Sequence, residues 1–202
     1  MRVLRLTIAG LICAASAPAL ADGHWYAGVS AGLAEANDIG FRDIDDGSAL
    51  SGSVSNDDTG WKLFGGYAYN RYISLEFAYI DLGEVSIDAT SDGNGVAFAP
   101  GSVKAAIESS GFSMAVVAAM PVNDKIELHA KLGYFAWSAD QSLRNSAFDP
   151  VATSIDGSDP SIGLGASYRL SDKYSIRVEY EKFTDIDEVD GSLLSIGLSA
   201  SF

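Results

Sequence analysis

The C-terminal segment, residues 193–202, constrains the fold more than any other part of this sequence. From position 194 onward, apolar side chains alternate with serine or glycine, and the apolar row comprises Leu194, Ile196, Leu198, Ala200 and Phe202. Alternation with a period of two over this length is typical of a β-strand with one apolar and one polar face. Such a strand fits a barrel whose first and last strands pair and whose apolar face contacts lipid. The sequence therefore predicts a transmembrane β-barrel.

The first 21 residues have the pattern of a secretory signal peptide. Arg2 and Arg5 precede a short apolar run, and Ala19-Leu20-Ala21 has the form of a cleavage site. We therefore expect a signal peptide over residues 1–21 and one outer-membrane domain over residues 22–202. The longest apolar run of that domain, residues 114–122, is interrupted by Pro121 and falls short of the roughly 20 residues that a helical span needs.

The same alternation occurs in seven further segments. The eight predicted strands are residues 25–33, 60–69, 73–82, 110–120, 126–137, 161–169, 175–183 and 193–202. Their connections alternate between short turns (70–72, 121–125 and 170–174) and long loops (35–59, 83–109, 139–160 and 184–192). Short periplasmic turns and long outer loops are typical of outer-membrane barrels. We therefore expect an all-β fold, an eight-stranded antiparallel up-and-down barrel, with a short extra strand or helix near residues 103–108.

Aromatic residues recur near the predicted strand ends, where amphipathic rings form interfacial girdles in membrane barrels. Ordinary β-propensity also favours aromatic residues, so these rings separate a membrane barrel from a soluble sheet only weakly. The residues expected in the girdles are Trp25, Tyr26, Trp61, Tyr69, Tyr72, Tyr79, Trp137, Tyr168, Tyr174, Phe183 and Phe202.

The opposite face of each predicted strand is small or charged, and this face points into the barrel. An eight-stranded barrel is just wide enough for side chains to fill it, and buried charges there must be paired. We predict a lumenal ion-pair network of Lys62, Glu76, Glu127, Lys131, Arg177, Glu179 and Glu181. Two interpretations stay open: a structural plug, or a gate whose ion pairs exchange to open a narrow water path. In either case the lumen is expected to be charged.

No motif for catalysis, a cofactor or a metal stands out. The two histidines are His24, near the start of the barrel domain, and His129, which faces the lumen. A catalytic triad needs a base beside a nucleophile and an acid, and neither position favours one. Acidic residues crowd the long loops, but their spacing does not match a calcium-binding loop. The residues concerned are Asp43, Asp45, Asp46, Asp57, Asp58, Glu84, Asp88, Asp92, Asp185, Asp187, Glu188 and Asp190. Solvated loops are the expectation, and a weak divalent-cation site is the alternative.

Several segments resemble the OmpA-like small outer-membrane barrels over nearly the whole predicted domain. Residues 60–67 (GWKLFGGY) with 75–83 (LEFAYIDLG) are similar to the second hairpin of that family. Residues 132–134, 176–180 and 195–198 resemble its fifth, seventh and closing strands. The resemblance implies that Glu76, Lys131, Arg177 and Glu179 occupy lumenal charged positions. It also implies that the terminal Phe202 is part of the signal recognised by the barrel-insertion machinery.

The function expected from these features is non-enzymatic. We expect a structural or surface-interaction protein of a Gram-negative outer membrane, without the peptidoglycan-binding domain that follows the barrel in full-length OmpA. The expected partners are outer-membrane lipid, lipopolysaccharide and, during insertion, the barrel-assembly machinery. The net charge of −14 argues against nucleic acid. The alternatives are a narrow pore or a transporter of small or hydrophobic solutes, as in OmpW-like barrels, and a lipid-modifying enzyme.

Overall fold

The computed structural model describes residues 23–37, 40–145, 148–186 and 189–202. The predicted signal peptide and the loop residues Asp187 and Glu188 lie outside this part of the chain. Nine antiparallel strands and one short 3-10 helix, Phe41–Ile44, make up its regular structure. The strands are β1 His24–Ala36, β2 Leu50–Ser55, β3 Asp57–Ala68, β4 Ile73–Ser91, β5 Gly101–Pro121, β6 Ile126–Asn145, β7 Phe148–Arg169, β8 Tyr174–Ile186 and β9 Val189–Ser201.

Eight of these strands close into one ring. The order β4-β3-β1-β9-β8-β7-β6-β5 returns to β4 through the β4–β5 pairing. Closure occurs where β1 pairs with β9, from Tyr26 opposite Ser201 to Ala36 opposite Gly191. The last residue continues this pairing, because the Phe202 backbone N–H donates to the Trp25 carbonyl oxygen at 2.8 Å. A closed ring leaves no strand edge within the wall, which lipid requires. The predicted eight-stranded up-and-down barrel is therefore confirmed.

The outward rows of side chains are apolar and exposed along the band that would contact lipid. In β5 this row includes Phe112, Met114 and Val116, and in β9 it includes Leu194 and Ile196. Leu164 of β7 has 67% of its surface exposed, and a leucine left this open to water would forfeit most of its burial energy. Among the described residues, no helix is long and apolar enough to cross a bilayer.

The short turns are held by side chains that accept backbone hydrogen bonds. Asn70 Oδ1 accepts from the backbone N–H groups of Tyr72 and Ile73 at 2.8 and 3.0 Å. Asn123 Oδ1 accepts from Lys125 and Ile126, both at 2.9 Å. These Asx turns satisfy the backbone groups that a tight reversal leaves unpaired. The three short turns lie at one rim, which we call the turn rim, and the other end is the loop rim.

The long connections contain more strand than predicted. β4 continues to Ser91 and β5 begins at Gly101, so residues 103–108 belong to β5 and form no separate element. β6 reaches Asn145 and β7 begins at Phe148. The first long connection supplies the extra strand, β2, which pairs with the outer part of β4. These extensions persist because their inward side chains, such as Ile87 and Val103, still pack against each other.

Three of the predicted girdle aromatics point inward instead. Tyr26, Trp137 and Phe183 have the lumenal parity of their strands, and Phe183 has no exposed surface. Proximity to a strand end does not determine the direction of a side chain, whereas the period of two does. Other rings do meet on the outer surface, as in the Trp25–Tyr67 and Trp61–Tyr79 pairs, whose centroids are 5.1 and 5.4 Å apart.

Candidate functional site

Seven charged or titratable side chains form a compact layer across the lumen, which we call the charged layer. Each faces inward because it occupies an alternate position of a wall strand. Every member is buried, with 7% or less of its surface exposed. The members are Lys62 of β3, Glu76 of β4, His129 and Lys131 of β6, and Arg177, Glu179 and Glu181 of β8.

Glu179 and Lys131 have the most partners in this layer. Glu179 pairs with Lys62 and Arg177, the latter with Nε 3.2 Å from Oε2. Lys131 Nζ lies 2.8 Å from Glu76 Oε1, 3.2 Å from Glu179 Oε1 and 2.6 Å from Glu181 Oε1. Arg177 Nη1 donates to Glu76 Oε2 at 2.6 Å, and Lys62 also pairs with Glu181. Three strands are thereby cross-linked to β8 by ion pairs.

The charged layer is electrically balanced. Three cations, Lys62, Lys131 and Arg177, face three carboxylates, Glu76, Glu179 and Glu181. Moving charges out of water is very costly, and only close pairing with further hydrogen bonds offsets that cost. The balance explains how so many charges persist inside a barrel too narrow to hydrate them.

The lumenal network contains two side chains that the sequence did not predict as members. His129 Nε2 lies 2.8 Å from Glu179 Oε2 and 3.2 Å from Arg177 Nε. Tyr26 donates its hydroxyl hydrogen to Glu76 Oε2 at 3.0 Å. Both share the inward parity of the charged residues on neighbouring strands, and that parity is the signal that could have found them.

A glycine makes room for the histidine. A Cβ on Gly165 would collide with the imidazole of His129 and with the Val178 carbonyl oxygen. Gly165 sits opposite both His129 of β6 and Glu179 of β8 in the sheet. The absence of a side chain on β7 therefore lets the ring reach the carboxylate across the wall.

Beyond the charged layer, towards the loop rim, the lumen becomes apolar. In β6 the inward positions change from His129 and Lys131 to Phe135 and Trp137. The same change occurs in β4 and β8, which also run towards the loop rim. The resulting apolar plug comprises Ala34, Phe64, Ala78, Ile80, Leu82, Phe135, Trp137, Ala139, Phe183, Ile186 and Leu193. Its member Phe64 borders the charged layer, with the ring centroid 4.9 Å from Arg177 Cζ. The expectation of a charged lumen therefore describes only the half nearer the turn rim.

This architecture has clear relatives among known proteins. Residues 20–196 match the family model of the OmpA-like transmembrane domain. This chain is a member of the OmpA-like transmembrane domain family. As an OmpA-like barrel, it is an integral protein of the outer membrane.

The relatives of this OmpA-like barrel include longer proteins. Outer membrane protein A of Klebsiella pneumoniae is 28% identical over 193 residues, which cover 90% of this chain and 52% of that protein. Outer membrane protein A of Escherichia fergusonii is 26% identical over 207 residues, covering 98% of this chain and 54% of that protein. The chain thus spans about half the length of these relatives.

Solved structures share the fold at low identity. Ail of Yersinia pestis superposes with a TM-score of 0.54 at 14% identity, covering 90% of this chain and all of that one. Neisserial surface protein A superposes with a TM-score of 0.52 at 13% identity, covering 88% of this chain and 97% of that one. OprG of Pseudomonas aeruginosa superposes with a TM-score of 0.50 at 13% identity, covering 90% of this chain and 96% of that one. At these identities the likeness concerns the fold alone.

Two predicted site residues of the OmpA-like barrel, Glu127 and Phe202, lie apart from the charged layer, so the prediction that Glu127 joins the ion-pair network is wrong. Glu127 is half-buried near the turn rim, and the described part of the chain contains no ion pair to it. Phe202 lies at the same rim with 70% of its surface exposed. His24, the other histidine, is exposed at the start of β1.

Several acidic loop side chains bind backbone rather than pointing freely into solvent. Asp46 accepts hydrogen bonds from the Ser48 hydroxyl and the backbone N–H groups of Phe98, Ala97 and Ser48, and these bonds hold the pKa of its carboxyl below the usual range. The Glu84 and Thr59 N–H groups similarly lower the pKa of Asp58. These acids therefore organise the loop rim of the OmpA-like barrel.

Proposed function

We propose that this chain is a non-enzymatic outer-membrane protein with a structural or surface-interaction role, whose lumen is closed to ions and whose acidic loops face the outside of the cell. The observation that carries the proposal is the double block along the lumen. The charged layer fills the half nearer the turn rim, and the apolar plug fills the next section. A hydrated ion would have to break buried ion pairs and then lose its water among aromatic rings.

The environment of the histidines supports a role without catalysis. His129 is held between Glu179 and Arg177 in a layer with almost no exposed surface, so a substrate would not reach it. His24 is exposed at the turn rim. A general base needs a nucleophile or a substrate proton within hydrogen-bond reach. The partners of His129 in the charged layer, Glu179 and Arg177, are neither.

The charge of the chain supports a surface partner that is not a polyanion. One structure of Ail from Yersinia pestis was solved with the heparin analogue sucrose octasulfate. A net charge of −14 would repel such a ligand here. A cationic or neutral partner of the loop rim agrees better with the acids that remain in solvent, such as Asp57.

Planar-bilayer conductance tests the closed lumen. The wild-type protein is expected to give no steady conductance, and K131M is expected to remain closed because the apolar plug is intact. K125M, in a short turn, is the matched control, and R177M is a second lumenal variant. Heat-modifiability on gels shows that each variant is folded. Steady conductance through the wild type would contradict the proposal.

A narrow gated pore is the second candidate, and one observation favours it. Lys131 Nζ lies within 3.2 Å of three carboxylates, so its pairs can exchange without leaving it uncompensated. If the pairs act as a gate, K131M should raise conductance well above that of both the wild type and K125M. That result would replace the closed-lumen proposal with a pore.

A further inference from the structure

The lumen contains a cavity above the apolar plug, at the loop rim. It has two connected parts, a narrow chamber of about 50 Å³ and a wide chamber of about 410 Å³. Both chambers are lined by Val85, Ile107 and Val189, so these residues mark the passage between them. The cavity lies outside the charged layer and plays no part in the structural and surface role proposed above.

The walls of both chambers are predominantly apolar. The narrow chamber is also lined by Ala34, Leu82, Ala139 and Ile186, all of which belong to the apolar plug. The wide chamber is lined by Ile44, Ile87, Ala105, Leu143 and Val151, with Gln141 and Thr153 as polar neighbours. A mainly apolar pocket of several hundred Å³ with a few polar groups is the usual form of a small-molecule site.

The sizes of the two chambers favour an unbranched chain. A cavity of roughly 150 Å³ is known to hold one benzene ring, and the narrow chamber has about a third of that volume. A ring therefore fits only in the wide chamber, whereas the end of an alkyl chain can enter both. The plug beneath stops the chain, so the site would retain a ligand rather than pass it through the barrel.

The uneven height of the wall leaves a route into the cavity. β7 pairs with β8 only over Ser161–Arg169 in the described part of the chain, so residues 148–160 rise above β8. At the other edge of the raised wall, β2 pairs with the outer part of β4 and extends the sheet. A ligand can therefore reach the wide chamber from the side of β8 without crossing the charged layer.

The charges around the cavity disfavour an anionic head group. Glu35 lines the narrow chamber, and the Asp58 carboxylate packs against Gly83, another lining residue. Two carboxylates beside a low-dielectric cavity would repel a fatty-acid anion. The hydroxyl of Thr153 can instead hydrogen-bond a hydroxyl or amide head.

We propose that the loop-rim cavity binds a single-chain amphiphile whose linear alkyl tail fills both chambers and whose head carries no negative charge. This site goes beyond the structural and surface role proposed above. A closed lumen does not require a ligand in the cavity, so the conductance test and the ligand-binding test can fail independently.

Trp137 provides a reporter for this site. It packs in the same cluster as the lining residues Leu82, Ala139 and Ile186. In a W25F/W61F background, Trp137 is the one remaining indole, because the chain has three tryptophans. Bromine quenches indole fluorescence at short range, and Trp137 lies directly behind wall residues of the narrow chamber, so brominated ligands in protein-loaded nanodiscs report occupancy of that chamber.

Bromoundecanol is expected to quench Trp137 saturably. Bromoundecanoate should bind more weakly because of its charge, and bromoadamantane should not quench because of its width. The variant I107N should raise the half-saturating concentration about tenfold, since it places an amide in the passage between the chambers. V85N is a second variant of the passage, and E108Q, on the outward face of the same strand as Ile107, is the matched control.

Absence of saturable quenching by bromoundecanol would overturn the proposal. So would equal affinity for I107N, V85N and E108Q in folded protein, or equal quenching by bromoadamantane. Quenching of Trp137 by a brominated-chain phospholipid of the nanodisc would assign the cavity to membrane lipid and would also overturn it.

Discussion

At the scale of single residues, the charged layer depends on carboxylates that serve several cations at once. Glu179 contacts Lys62, Lys131, Arg177 and His129, all inside the lumen. Removing its charge leaves the layer with an unmatched positive charge in a site that water does not reach. Glu127 is two strand positions from His129 on the same strand but has no ion pair in the described part of the chain.

We predict that E179Q lowers the free energy of unfolding by about 3–5 kcal/mol, the usual cost of leaving a buried charge unpaired. E127Q, the matched control, should lower it by less than about 0.5 kcal/mol, as for a surface change away from such features. Urea-induced unfolding of the lipid-reconstituted barrel, followed by heat-modifiability, measures both values. Equal stability of the two variants would show that the ion pairs contribute nothing net.

At the scale of elements, the hairpins at the loop rim persist because polar and apolar anchors join them. Phe98, between β4 and β5, packs on Ile87 and Val103. Asp46, in the connection before β2, accepts the backbone N–H groups of Ala97 and Phe98 at 2.9 and 2.8 Å. A carboxylate thus ties the first connection to the β4–β5 loop.

We predict that D46N accelerates amide hydrogen exchange at Ala97 and Phe98. The pKa of Asp46 is lowered, first by the Ser48 hydroxyl and then by the Phe98 N–H, so its stabilisation is present above the usual carboxyl pKa. In the wild type this protection should be lost only as the pH falls through the depressed value, after correction for intrinsic exchange. D57N, which changes an exposed carboxylate at the start of β3, should behave as the wild type. A D46N profile that matches D57N would contradict this role.

At the scale of the whole molecule, closure depends on the pairing of the first and last strands. β1 and β9 pair over eleven registered positions, and Phe202 adds one more backbone bond at the rim. The Phe202 ring is exposed, so it contributes little to the folded barrel. Its predicted role belongs to assembly, where the closing strand is recognised.

We predict that F202A reduces the amount of folded protein in the outer membrane several-fold. The free energy of unfolding in vitro should fall by no more than ~1–2 kcal/mol, because the ring is largely exposed and the backbone bond to Trp25 remains. Y174A removes another exposed aromatic ring at the same rim, beside Ala200, and serves as the control. Equal membrane levels of F202A and Y174A would show that Phe202 is not part of the insertion signal.

Much of the wall could be predicted from local pattern. The rows that begin at Trp25, Phe112 and Leu194 alternate with a period of two, and each side chain of such a row faces the same way whatever the rest of the chain does. The lumenal direction of Lys62, Glu76, Lys131, Arg177 and Glu179 follows from the same rule. The girdle assignments of Tyr26, Trp137 and Phe183 were wrong because they relied on position along the strand instead of parity.

The sequence by itself therefore determined the number of wall strands, the face that meets lipid and the charges that enter the lumen, since all three depend on neighbours along the chain. Only the tertiary structure decided which charges meet, why His129 joins them and where the lumen turns apolar. Those features depend on the stagger between strands, which places Lys62 of β3 beside Glu179 and Glu181 of β8, more than a hundred residues later in the chain.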